Sequence, residues 1–435
     1  MTTQISIILA VMVAAYVAAK AAKLSVELSI FASALAGGVA GAFLKTPPIA
    51  DLGRHLVEGS FTYLDVILVF FTATLFMTIV DESGGVVYVV RATLRAFGSK
   101  RFLVLLVLMV IVLIPGALTG AGSVSLLVVG APVAMALGRL GIPRKKVAAI
   151  LFIVAGLSAA APPVNIWAMI LCAGTAIPYV GFEFTLGIPV LILGAFTVLV
   201  LGWKKEPGAA AGPLELPEPP KGMTWWRVLL PFAVFFGLVI AYRAWPFATP
   251  IFGLSLEFAV AGAAALLLSP KRIAFLTLAR DTVKRLLPLL ATMVVVGMLQ
   301  QIMTATGVRG LLSFAVISTP LVLLFFLLPI IIPFSEGILT YGAAAIIGIP
   351  LIWFLDSIGF HATVVIAGLS LLWPLGDGLP PTALIGRLSN MVSGYDGSYK
   401  DFLKATWLPW LAITATAMAM IIFSSKLAFL VKWSM

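Results

Sequence analysis

Hydrophobic positions along this chain gather into long runs, and the charged positions are left to the short segments between them. The runs lie near residues 4–20, 27–44, 59–80, 102–115, 147–172, 185–202, 228–245, 251–268, 286–303, 361–385 and 406–425. Stretches such as 228–242, 286–299 and 406–423 approach or reach the ~20 residues that a helix needs to cross a bilayer. Two further segments, roughly 116–138 and 320–350, are apolar but irregular. The pattern predicts an all-α polytopic membrane protein.

Composition agrees. The chain is 62% hydrophobic and 10% charged, with a mean hydropathy of +1.15, against about 45–50% apolar and about 25% charged in soluble domains. Residues 4–19 lack a basic leading segment and flow straight into a second run, so no cleavable signal peptide is expected. One cysteine, Cys172, excludes a disulfide framework, and two distant histidines, His55 and His361, exclude a His/Cys metal cage.

The net charge of +11 reads as topology rather than as a nucleic-acid surface. If residues 20–23 face the cytoplasm, the cytoplasmic segments are 20–23, 81–101, 139–146, 203–227, 270–285 and 386–405. They carry 22 of the 28 Lys and Arg residues. Lys45, Arg54, Arg243, Arg309, Lys426 and Lys432 fall outside. This count requires 116–138 and 320–350 each to enter and leave on one side, as re-entrant hairpins.

An internal repeat emerges when residues 115–163 are laid on 333–381, an offset of 218. Pro115, Gly130, Pro132, Gly141, Pro162 and Pro163 meet Pro333, Gly348, Pro350, Gly359, Pro380 and Pro381. Upstream, an offset of 223 aligns "IVDESG" (79–84) with "IMTATG" (302–307). Arg139, Arg144, Lys145 and Lys146 of the first copy fall on Ser357, Ala362, Thr363 and Val364 of the second. One loop is basic and its counterpart neutral, so the copies are expected to face opposite sides of the membrane. Inverted-topology repeats of this kind are typical of secondary transporters. The expected organisation is a first repeat over 1–202, with scaffold helices in 1–101 and a hairpin and broken helix in 102–184. A Pro- and Gly-rich cytoplasmic linker follows at 203–227. The second repeat spans 228–425, with scaffold helices in 228–303 and a hairpin and broken helix in 313–385. A tail covers 426–435.

The breaks carry the candidate chemistry. Non-helical backbone survives at membrane depth only where protein or a water-filled cavity covers it. Half-helix N-termini then offer N–H groups to an anion, and C-termini and unwound carbonyls suit a cation. Four elements fit. The first hairpin tip, "GALTGAGSVS" (116–125), holds Thr119, Ser123 and Ser125; the first break, "GLSAAAPPVNIW" (156–167), holds Ser158 and Asn165. The second tip, "PFSEGILTYG" (333–342), holds Ser335, Glu336 and Thr340; the second break, "LLWPLGDGLPPTALIG" (371–386), holds Asp377 and Thr382. Hydroxyls and carbonyls form a hard-oxygen environment suited to an alkali cation. Intramembrane acids are functional candidates by default. Asp377 admits two readings, ion coupling or capping of the half-helix after Pro380-Pro381. Arg387 reads as an anion contact or as a positive-inside anchor.

Residues 122–170 ("GSVSLLVVGAPVAMALGRLGIPRKKVAAILFIVAGLSAAAPPVNIWAMI") and 348–386 ("GIPLIWFLDSIGFHATVVIAGLSLLWPLGDGLPPTALIG") carry a family resemblance. Over about two thirds of its length the chain resembles the large membrane subunit of tripartite ATP-independent periplasmic (TRAP) transporters, within the ion transporter superfamily. The resemblance implies an elevator mechanism and Na⁺-driven uptake of a small organic anion, of the C4-dicarboxylate or sugar-acid class, across the inner membrane. It implies a small membrane subunit and a periplasmic binding protein as partners. By position, Gly122, Ser123 and Pro163 would belong to a first sodium site, to which Ser158 adds a hydroxyl. Gly337, Gly378 and Pro381 would belong to a second, with Thr340 and Asp377 beside them. Substrate would lie between the tips, near Ser123, Ser125, Asn165, Ser335, Glu336 and Thr382. Two positions depart from the family. The tip reads Gly120-Ala121-Gly122-Ser123 where Gly-Ser-Ser is usual, and Val164 stands where Ser is frequent.

Other classes fare worse. An embedded enzyme would need a nucleophile–base set or metal ligands at depth, and the chain has no Ser/His pair, no HExxH and no acidic pair at helical spacing in a span. No enzymatic activity is expected. The alternative within transport is a stand-alone Na⁺ or H⁺ symporter of the same superfamily that needs no binding protein.

Overall fold

The computed structural model describes residues 2–44, 47–98, 100–204, 217–245 and 253–432. Residues 205–216 of the expected linker at 203–227 lie outside the described residues, as do Lys45 and the last three residues of the tail.

Every regular element among the described residues is a helix. The first five are α1 (Thr2–Ala21), α2 (Val26–Phe43), α3 (Ile49–Ser60), α4 (Leu64–Glu82) and α5 (Gly85–Phe97). Next come α6 (Arg101–Thr119), α7 (Gly122–Ser125), a π-turn (Leu126–Gly130), α8 (Ala131–Arg139), α9 (Arg144–Ala160), α10 (Ile166–Thr175) and α11 (Phe182–Gly202). The second half opens with α12 (Trp225–Ala244), α13 (Gly253–Leu268), α14 (Phe275–Ala305) and α15 (Val308–Ser318). It continues through α16 (Leu321–Leu339), a second π-turn (Ala344–Gly348), α17 (Ile349–Ser357), α18 (Ala362–Gly376) and α19 (Leu384–Ser393). It closes with α20 (Tyr399–Ala405), α21 (Trp407–Ile422) and α22 (Phe429–Lys432). Nine helical stretches among the described residues are long and apolar enough to cross a membrane, ten if the bent pair α20–α21 is one span. The chain is a multi-pass membrane protein.

The two breaks fall where the sequence reading put them, and one difference, in the loops, has a local cause. The apolar run 147–172 is not one helix: α9 ends at Ala160 and α10 begins at Ile166, because Pro162 and Pro163 cannot donate to the helical ladder. The run 361–385 divides likewise between α18 and α19 around Pro380 and Pro381. The loops expected at 81–101 and after 303 contain α5 and α15, each beginning after a glycine of positive φ, Gly84 (86°) and Gly307 (79°). Those glycines stand at the offset of 223.

Element bounds recur at the offset of 218 as well. The π-turns at 126–130 and 344–348, α8 and α17, and α10 and α19 match end for end at 218. The peptide bond within each Pro-Pro pair is cis.

Helices α1–α4 pack chiefly on one another and on α12–α15, while α6–α11 pack among themselves and on α16–α21; α5 lies between, against α4 on one side and α6 and α8 on the other. In the first group α3 and α14 cross with their backbones nearly touching. A Cβ added to Gly59 would lie 2.6 Å from the Met298 Cα, so only glycine fits. Tyr63, at the start of α4, donates to Gln300 of α14. In the second group α9 is buried from Val147 to Ala160 and α18 from Thr363 to Gly376. Both are apolar on all sides because both are sheathed by protein rather than by lipid. The groups meet where Tyr16 of α1 donates to the Ile338 carbonyl (2.8 Å) and where Arg309 of α15 donates to the Gly174 carbonyl (2.9 Å). The Arg309 guanidinium also lies 4.3 Å from the centre of the Trp353 ring.

Candidate functional site

The two buried helices end at the breaks, and each break is stitched to its neighbouring hairpin. In the second half, α16 closes on Thr340, whose N–H donates to the Glu336 carbonyl (2.8 Å) and whose φ of 52° and ψ of −142° are unusual for a β-branched residue. Thr382, just past Pro381, donates twice to the Gly337 carbonyl, from its N–H (3.2 Å) and from its Oγ1 (2.9 Å). In the first half, α6 closes on Gly120, whose N–H donates to the Gly116 carbonyl (2.6 Å). Val164, just past Pro163, donates to the Ala117 carbonyl (3.0 Å). Val164 and Thr382 stand 218 apart, so the same stitch is made twice.

Size is exchanged between the halves at the closest point. A Cβ on Gly116 would overlap the Ser158 hydroxyl, and a Cβ on Gly376 would overlap the Pro333 carbonyl oxygen and lie 2.6 Å from the Glu336 Cβ. Ser158 and Gly376 are counterparts at 218. In the first half the hairpin supplies the glycine and the break the larger residue; in the second half the roles reverse. Glu336 therefore occupies room that Gly376 leaves.

Each half-helix after a break then reaches the other half's hairpin. Trp167 of α10 donates from Nε1 to Glu336 Oε1 (3.0 Å), and its ring centre lies 5.1 Å from that of Tyr341. Ile385 of α19, the counterpart of Trp167, sits over Gly122, its Cδ1 2.7 Å from where a Cβ would be. Glu336 is 1% exposed, and its Oε2 has no hydrogen-bond partner. Asp377 is buried beside it at the end of α18, and its carboxyl makes no hydrogen bond among the described residues. Of the two readings of Asp377, capping of the following half-helix is not met: the residue preceding α19 is Ala383, and no side chain caps that helix.

The other expected site residues divide by what their oxygens do. Ser125 donates to the Val112 carbonyl, Ser158 to Ala155 and Ser335 to Ile332, all within helix packing. Asn165 caps α10: its Oδ1 accepts from the Ala168 N–H and its Nδ2 donates to the Ala160 carbonyl, both at 2.9 Å. Both its amide ends are used structurally. Ser123 is half-buried at the first tip and makes no hydrogen bond through its side chain. The Thr340 hydroxyl donates to the Leu339 carbonyl.

The implied second sodium site is the less open of the two. The Gly337 carbonyl already accepts two donors, the number its two lone pairs allow. The Pro381 carbonyl accepts from the Arg387 guanidinium (3.0 Å), and the Gly378 carbonyl accepts from the Tyr399 hydroxyl (2.8 Å). Arg387 thus anchors the break. In the first half the Pro163 carbonyl accepts only from Tyr179 (3.1 Å), whose hydroxyl oxygen in turn accepts from the Asn165 N–H (2.9 Å).

Trp167, Tyr341, Tyr179 and Tyr399 hold this arrangement together and were not singled out from the sequence. An indole or phenol among apolar neighbours looks like core, and only the repeat offset linking Trp167 to Ile385 hinted at more. The chain matches no protein-family model and is similar to no curated protein at a significant level.

Proposed function

We propose that the chain is a secondary active transporter that couples uptake of a small organic anion, of the C4-dicarboxylate or sugar-acid class, to an Na⁺ gradient. The halves act as inverted repeats, in the manner of the TRAP large subunit that residues 122–170 and 348–386 resemble. The group formed by α6–α11 and α16–α21 carries the cargo in an elevator motion, and α1–α5 with α12–α15 form the scaffold. The hairpins do not cross the membrane; they re-enter it.

One observation carries this reading. Two broken helices, with bounds 218 residues apart, each send their second half onto the other's hairpin tip, and a buried acid lies at that junction. Non-helical backbone at membrane depth is tolerated where protein or a water-filled cavity covers it, and here it is gathered beside a buried acid. The half-helix N-termini at α10 and α19 supply N–H groups for a carboxylate, and the Ser123 hydroxyl and Pro163 carbonyl supply oxygens for Na⁺. The first half is the better fit for the cation, since it offers the unengaged Ser123 hydroxyl, whereas the Gly337 carbonyl of the second half already accepts twice from Thr382; the Pro163, Pro381 and Gly378 carbonyls each accept one side-chain donor.

The test is uptake of labelled carboxylates into proteoliposomes containing the purified chain, under an inward Na⁺ gradient and then under a proton gradient. Na⁺-driven uptake by the chain alone supports symport and removes the need for a binding protein. Uptake only after a small membrane subunit and a periplasmic binding protein are added supports the tripartite form. No uptake in either arrangement refutes the proposal.

A further inference from the structure

Between the two groups of helices runs a cavity of about 510 Å³. One wall is formed by α4, α5 and α12, with Val80, Val86 and Phe232; the other by α6, α11 and the first break, with Ile114, Val190 and Pro163. Ordered water needs two to four polar partners, and a cavity without them stays dry. The solvent that suits such walls in a membrane is hydrocarbon.

The rim shows which hydrocarbon. Trp225 lines one end, its ring packed edge-on against Tyr88 at 5.5 Å. Two residues along, Arg227 lies 5.5 Å from the centre of the Trp226 ring and donates to the Gly222 carbonyl (3.0 Å). Lys221 is exposed nearby, and Arg91 pairs with Glu218 at 3.7 Å. The cations Arg91, Lys221 and Arg227 outnumber the acid Glu218. Aromatic rings mixed with basic residues mark the depth where helices meet lipid headgroups. The charge count assigns 203–227 to the cytoplasmic side, where the leaflet is anionic.

We propose that this seam holds an acyl chain of an anionic phospholipid, its phosphate beside Trp225 and Arg227. The chain touches both groups of helices at once, so one group slides past the other over hydrocarbon rather than over interlocked side chains. The lipid binding goes beyond the transport reading and does not need it, whereas the sliding of one group past the other rests on that reading.

The test uses the full chain in nanodiscs containing phosphatidylglycerol with a diazirine in mid-chain, irradiated and mapped by peptide mass spectrometry. Adducts are expected within 110–118 and 228–236, besides those on outward-facing Ile240, which is 61% exposed. Gly187→Phe is expected to remove the seam adducts and keep those on Ile240. A Cβ at Gly187 meets only Pro162 Cγ, at 3.7 Å, so the ring has room to enter the seam. Arg227→Glu should lower seam labelling by phosphatidylglycerol about fivefold or more, given the usual strength of a basic residue at an anionic surface. It should leave labelling by a phosphatidylcholine probe unchanged. Seam adducts that are missing from the native chain, that persist in a Gly187→Phe protein still labelled at Ile240, or that form equally with both lipids would overturn the proposal. If Gly187→Phe fails to fold, Ile240 labelling is lost with it, and Arg227→Glu decides.

Discussion

The Trp167–Glu336 hydrogen bond is the direct polar link between one half's break and the other half's hairpin, and its strength can be measured. Trp167→Phe keeps most of the ring but removes the donor. Glu336 then has no partner on either oxygen, because Oε2 has none already. A hydrogen bond is worth about 1 kcal/mol when both groups are neutral and about 1.5–3 kcal/mol when one is charged, and an orphaned buried group loses about as much again in desolvation. Trp167→Phe should therefore destabilise the protein by about 2–4 kcal/mol. Glu336→Met, similar in volume, should do comparable harm by orphaning the indole N–H.

The double variant separates this account from simple packing. Replacing both partners with apolar groups leaves nothing buried and unsatisfied, so the pair should be less damaging than the two singles added together. The expected coupling energy is about 1–3 kcal/mol. The assay is reversible unfolding in mixed micelles, followed by tryptophan fluorescence or circular dichroism, with the four proteins compared under one set of conditions. Additivity to within about 0.5 kcal/mol would refute the reasoning, because independent sites add to about that tolerance. The two side chains would then be neighbours without being partners.

Four further outcomes follow from the same contacts. Gly116→Ala should lose expression or uptake because its methyl overlaps the Ser158 hydroxyl, and Ser158→Gly should restore it; the pair is read by monodispersity on size exclusion and by uptake, and failure of the rescue sinks the size-exchange account. Thr340→Gly should raise stability by about 1 kcal/mol, because relief of a strained positive φ is worth about 1–3 kcal/mol and glycine's added freedom returns part of it; a lower melting temperature would count against strain at this tip. Cys172 is buried, so single cysteines can be added to a chain with a quiet background: in sealed vesicles Lys145→Cys and Ser357→Cys, both at exposed positions, should react with impermeant maleimide from opposite sides, and labelling from one side would contradict the inverted repeat. Thr382→Ala removes one of two donors from the Gly337 carbonyl, so if that carbonyl binds Na⁺ the half-saturating concentration should fall about fivefold, the worth of one hydrogen bond; a rise would make the Thr382 hydroxyl itself a ligand.

Much of the framework was legible because membrane physics leaves few options. Runs of about 20 apolar residues must be helices, and paired prolines must end them. Residues 115–163 and 333–381 therefore announced both breaks, and the element bounds keep the offset of 218 end for end at α10 and α19. Helices α5 and α15 were hidden because their basic and mixed faces read as loop. The site was less legible. Ser125, Ser158, Ser335 and Asn165 were expected at it for their oxygens, yet each turns its polar group onto a nearby backbone atom. A serine in an apolar helix has a carbonyl three or four residues back within reach, and a single sequence does not say whether it takes it.

Glu336 and Gly116, each four residues before the residue that closes its hairpin helix and accepting from that residue's N–H, show how a repeat with one backbone acquires two chemistries. The contact between hairpin and break leaves room for one side chain beyond a glycine, and that room can be filled from either partner. In the first half Ser158 of the break fills it, and its hydroxyl returns to its own helix. In the second half Glu336 of the hairpin fills it, and its carboxyl reaches across to the other half's Trp167. On the break side of the second half Asp377 ends a helix buried from Thr363 to Gly376; on the hairpin side Glu336 lies four residues before a tip held in a strained turn. The second half thus sets a carboxyl on each side of its junction, and the first half, over 116–125 and 156–167, sets none.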